Sequence, residues 1–110
     1  MLSMIEEEKL KRLLRTVGKT NFIEYFSEYK TLAFSNNRVS QSDKMPLAKR
    51  LLENNPRATK LSGQFFRIGA AISIFKNGWE GEALKEVINS THPIITGEIK
   101  NKALVFLNKK

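Results

Sequence analysis

Between Ala58 and Phe75 six apolar residues run at steps of three and four: Ala58, Leu61, Phe65, Ile68, Ile72 and Phe75. At 3.6 residues per turn an α-helix gathers such a series into one stripe, whereas a strand would scatter it over both faces. The spacing therefore predicts a long helix over Pro56–Asn77, closed by Asn77-Gly78. Another face of it carries Ser62, Gly69, Ala70 and Ser73, all small enough to let a neighbouring helix come close. Gly63 and Gly69 weaken its intrinsic helicity by about 1 kcal/mol each. A helix of this kind needs other apolar faces to cover its stripe, and the rest of the chain supplies them.

Ser3 stands three residues before Glu6, the spacing at which a serine hydroxyl and a carboxylate satisfy each other's free backbone N–H groups at a helix start. A helix over Ser3–Val17 follows, with Ile5, Leu10, Leu13 and Leu14 expected to share one apolar face and Gly18 as its stop. Phe22, Ile23, Tyr25, Phe26, Tyr29 and Leu32 predict a second helix over Asn21–Phe34, capped by Thr20. Ser35–Ser42 is a polar connector and the candidate mobile loop. A third helix is expected over Met45–Glu53, with Pro46 in its first turn, where the missing N–H costs nothing. Trp79–Asn89 predicts a further helix, and Thr96 caps a last one through Asn108. No paired strands, hairpin turn or repeat is evident. The expectation is all-α: one domain over residues 1–110, a compact bundle of five to six short helices around one longer central helix.

The chain has 110 residues and no cysteine, so disulfides, thiolate zinc sites and thiol nucleophiles are excluded. No apolar run approaches the roughly 18 residues of a membrane span. Met1-Leu2-Ser3-Met4-Ile5 runs into three glutamates, the reverse of the basic-then-apolar order of a secretory signal, so a cytoplasmic protein without membrane partners is expected.

Charge is the sharper signal. The net charge is +8, and Ser35–Lys76 holds +6 of it: Arg38, Lys44, Lys49, Arg50, Arg57, Lys60, Arg67 and Lys76 against Asp43 and Glu53. Arg57, Lys60, Gln64 and Arg67 fall at steps of three, four and three, a strip flanking the apolar stripe. Arginine and lysine hold phosphates, and arginine or glutamine reads base edges in a major groove. The third helix adds Lys44, Lys49 and Arg50 just before a short connection, a layout compatible with helix-turn-helix geometry. The candidate nucleic-acid-binding residues are thus Arg38, Lys44, Lys49, Arg50, Arg57, Lys60, Gln64 and Arg67.

A basic block also suits an acidic protein surface or simply a soluble exterior. The alternative is a protein-interaction module or self-associating bundle, using Ser62, Gly69, Ala70, Ser73 and Phe66. Enzymatic chemistry finds little support. Gly18-Lys19-Thr20 ends like a phosphate-binding loop, but Leu13 stands where that motif needs its first glycine, and a charged helix precedes it in place of a strand. His92 is the single histidine, beside Pro93 in a turn. Glu24 and Glu28 share a helix face without a histidine companion, and no serine lies in a nucleophile-elbow motif. A non-enzymatic domain with no cofactor or metal is expected. The aromatic residues Phe22, Tyr25, Phe26 and Tyr29 could stack on bases, but at helical spacing they read first as core.

Overall fold

The computed structural model describes residues 2–35, 39–54 and 60–108. These residues form seven helices and no strand: α1 Met4–Val17, α2 Lys19–Glu24, α3 Phe26–Ser35, α4 Gln41–Asn54, α5 Leu61–Lys76, α6 Glu80–Ile88 and α7 Gly97–Asn108. The all-α bundle is as expected, with one more helix than the upper count. No described helix is long and apolar enough to cross a membrane.

The start of α1 is the predicted capping box. The Glu6 N–H donates to Ser3 Oγ and the Ser3 N–H to Glu6 Oε1, each at 3.2 Å. Gly18 ends the helix at φ +90°, a backbone state that side chains with a β-carbon resist. Leu10, Leu14 and Val17 are buried, but Ile5 is exposed. The reason is rotational: at about 100° per residue Ile5 lies opposite Leu14 on the helix, not on its face.

The second predicted helix is bent in two. Gly18, not Thr20, is the residue before its first turn, and the backbone breaks at Tyr25 (φ −112°, ψ 20°). Hydrogen bonds run on through the bend, from the Tyr25 N–H to the Asn21 carbonyl and from the Tyr29 N–H to the Tyr25 carbonyl. Across the bend Phe22 and Phe26 both reach Phe75 of α5, with ring centroids 5.7 and 5.1 Å away. Phe106 of α7 stacks on Phe26 at 4.4 Å. Phe22, Phe26 and Tyr29 are therefore core, and Tyr25 is half-buried.

The third predicted helix, α4, begins four residues earlier than its apolar pattern implies. Ser40 and Asp43 cap it reciprocally: the Asp43 N–H donates to Ser40 Oγ at 3.2 Å, and the Ser40 N–H to Asp43 Oδ2 at 3.0 Å. Gln41 and Ser42, expected in the connector, are thereby helical, while 36–38 lie outside the described residues. Pro46 then sits inside the helix rather than in its first turn. The Ser42 carbonyl loses its intrahelical donor to proline, a loss that water offsets because Ser42 is exposed.

The long helix α5 is the centre of the bundle. Residues 55–59, which hold the expected start of this segment, lie outside the described set. From Leu61 onward the predicted stripe points inward, and Ile68, Ile72 and Phe75 are buried, as are Ala70, Ala71 and Ile74. Helices α1, α3 and α4 enclose it from three sides. Its end is a Schellman motif: Gly78 at φ +72°, the Trp79 N–H on the Ile74 carbonyl (2.9 Å) and the Gly78 N–H on the Phe75 carbonyl (3.0 Å). Then α6 and α7 form an antiparallel pair, α7 opening with Thr96 Oγ1 accepting the Ile99 N–H at 3.2 Å.

The ring at Phe75 gathers contacts from three other rings, so truncating it leaves a cavity in the middle of the bundle. Phe75→Ala should lower the unfolding free energy by about 3–5 kcal/mol. Phe66→Ala, at a site 75% exposed, should change it by less than about 0.5 kcal/mol. Urea denaturation of the two variants side by side checks both.

Candidate functional site

Where the end of α1, α2, the end of α4, the middle of α5 and the turn at 92–95 meet, they leave a cleft of about 580 Å³. Its position follows from the two helix breaks already described. The turn at Gly18, between Arg15 and Lys19, and the 92–95 turn both line the cleft. Arg15, Lys19 and Arg67 line it, with Glu24 as the one carboxylate among its described lining residues. Leu14, Val17, Leu51, Ile94 and Ile95 give it an aliphatic lining. A cavity of this size with a few placed polar groups is the ordinary form of a ligand site.

The polar groups are held from behind. Tyr29 is buried, and its hydroxyl donates to Asn21 Oδ1. Asn54 Nδ2 donates to the Tyr25 hydroxyl at 3.1 Å, tying the end of α4 to the bend of α2 and α3. Arg67 Nη1 donates to Gln64 Oε1 at 3.2 Å, which fixes the guanidinium one turn along α5. Burial pushes the Tyr29 phenol well above its ordinary value, and the nearby positive charge of Arg67 only partly offsets this. Thr20, freed from the capping role by Gly18, has a buried Oγ1 with no hydrogen-bond partner among the described residues. In the turn, His92 Nδ1 accepts the Ile94 N–H at 3.2 Å, so its proton is on Nε2 when the ring is neutral.

Of the residues expected to hold nucleic acid, the structure brings Arg67 to this cleft and leaves Lys60 exposed at the start of α5, outside the cleft lining. Gln64 requires a correction. It is 4% exposed and accepts from Arg67, so the strip expected to face outward is interrupted at this position. The cause is that α5 is packed on three sides, leaving a narrower open face than a helix on the outside of a bundle has. The cations of α4 do not form one face either. Lys44 points toward α5, its Nζ lying 3.9 Å from where a β-carbon on Gly69 would stand, and Lys49 is exposed elsewhere. Arg50 pairs with Glu28 at 3.6 Å and lies over the Tyr25 ring at 5.9 Å. Residues five and one apart are separated by about 140° and 100° around a helix, so such a divergence is inherent in their spacing. Arg38 and Arg57 lie outside the described residues.

Arg15 and Lys19 are the residues that sequence reasoning missed. They stand on opposite sides of a helix stop, where a helical wheel says nothing about their relation. Gly18-Lys19-Thr20 all line the cleft, yet α1 precedes them, so no glycine-rich turn wraps a phosphate there. Glu24 and Glu28 part company across the bend, one lining the cleft and the other on Arg50. Among the described residues no three His, Asp or Glu side chains come together as metal ligands would.

A second concavity, about 880 Å³, lies between α1, the start of α4 and the small face of α5. Ser62, Phe66, Gly69, Ala70 and Ser73 line it together with Lys44. The small residues thus leave a groove open instead of admitting a neighbouring helix. No family model, curated protein or solved structure matches the chain.

The raised Tyr29 proton affinity has a sign that can be measured. The folded state holds this proton more tightly than the unfolded one, so the stabilisation is intact below about pH 10 and is lost progressively above it. In a Tyr25→Phe variant, where Tyr29 is the one remaining tyrosine, phenolate absorbance should rise together with the loss of helical circular dichroism. A phenolate signal that appears while the helices are intact would contradict the burial.

Proposed function

We propose that this chain is a non-enzymatic nucleic-acid-binding domain of the cytoplasm that grips the phosphate backbone at the cleft. The observation that carries the reading is the convergence of Arg15, Lys19 and Arg67 around one concavity with a single carboxylate. Lys60 extends the set, seven residues and so about 10 Å along α5 from Arg67. Cations that face one polyanion release its counterions on binding, which gives affinity without catalysis. The helix-turn-helix version of the idea is not carried forward, because α5 is enclosed and Gln64 is turned inward.

Fluorescence anisotropy with labelled nucleic acid at about 50 and 200 mM salt tests the proposal. Affinity should fall steeply between the two. Arg15 and Lys60 are both exposed, so replacing them costs the fold little. The double variant Arg15→Glu/Lys60→Glu should bind about tenfold or more weakly, with a salt slope shallower by roughly two. Unchanged affinity in the double variant would remove the cleft as the interface.

A second reading rests on the groove beside Phe66, whose ring is 75% exposed. An exposed aromatic in an open groove is a common mark of a protein contact. In that reading two copies of the chain associate through this face. Sedimentation at rising concentration would then show dimers that Phe66→Glu abolishes, and a mass that stays monomeric throughout would end it.

A further inference from the structure

We infer that the cleft takes one unpaired nucleotide, so that the domain prefers single-stranded nucleic acid to duplex. The inference rests on the nucleic-acid reading above and adds the form of the ligand. Cations at the rim alone would serve any polyanion, and a convex ridge of phosphates could lie across them. The interior of this cleft is not built for phosphate. Its lining is aliphatic, and Ile94 stands at 69% exposure with its side chain lining the cavity. Aliphatic surface of this kind gains by being covered by something flat and weakly hydrated. A base presents such a face, and its attached phosphates extend on either side toward Arg15, Lys19 and Arg67.

Uncharged polar side chains line the cleft beside the aliphatic ones. Thr20 lines the cleft, although its Oγ1, with no hydrogen-bond partner among the described residues, is itself covered from solvent. Asn54 also lines the cleft; one of its two amide N–H groups goes to the Tyr25 hydroxyl, and the side-chain amide keeps a further donor and a carbonyl acceptor. A duplex holds its bases stacked and paired, so it would have to extrude one to reach these groups, whereas a single strand offers them at little cost. Neighbouring nucleotides then follow the basic rim toward Lys60.

The test uses the intact chain and three labelled probes of equal phosphate number: a short thymidine oligonucleotide, the same strand with abasic positions, and a blunt duplex. Anisotropy at about 50 mM salt should show the single strand bound about tenfold more tightly than the duplex, with the abasic strand at least severalfold weaker than the intact one. Ile94→Ser, a neutral change at an exposed turn, should lower single-strand affinity toward the abasic level without altering the salt slope. Equal binding of intact and abasic strands, or duplex binding as tight as single strand, would overturn the inference while leaving the nucleic-acid reading in place. Failure of all three probes to bind at this salt would overturn both.

Discussion

The packing of Phe75 against Phe22, Phe26 and Phe34 holds together elements that are far apart in the chain. Aromatic pairs at these separations add about 0.5–1.5 kcal/mol each beyond the area they bury. Their greater importance is geometric. They set α5 against the bent α2 and α3, while Phe106 on Phe26 brings α7 onto the same cluster. The ends of α1 and α4 and the 92–95 turn then line the cleft that these helices leave. The cavity is what remains between elements whose positions are decided elsewhere.

The stripe on α5 and the Ser3–Glu6 box could be read directly from the chain, because each depends on residues within one helix. The same holds for Thr96 at the start of α7. What could not be read depended on competition or on tertiary contact. Thr20 looked like a cap, but Gly18 took the turn first. Pro46 looked like a helix start, but the Ser40–Asp43 pair nucleates α4 upstream and the helix runs through the proline. Arg67 and Lys60 could be picked out by spacing, whereas Arg15 and Lys19 could not, since a helix stop separates them. Gln64 fits the spacing as well as Arg67 does. Only the enclosure of α5 tells the two apart.

Charge balance follows the same division. Four ion pairs at the surface are weak individually: Glu7 with Lys11, Glu82 with Lys85 and Glu98 with Lys102 lie within single helices, and Arg50 with Glu28 joins α4 to α3. Such pairs neutralise charge locally around the outside of the bundle. None of these four engages Arg15, Lys19 or Arg67, and Glu24 is the one carboxylate among the described residues lining the cleft.

The cleft is also late to exist. A chain emerging from its synthesis displays Arg15 and Lys19 early, but Arg67 follows Lys19 by 48 residues and Ile94 by 75. Closing so wide an interval is the slow, non-local part of folding. Until the 92–95 turn has docked, the early cations sit on a helix end with no walls around them. The cleft therefore takes shape only once segments from α1 to the 92–95 turn have come together.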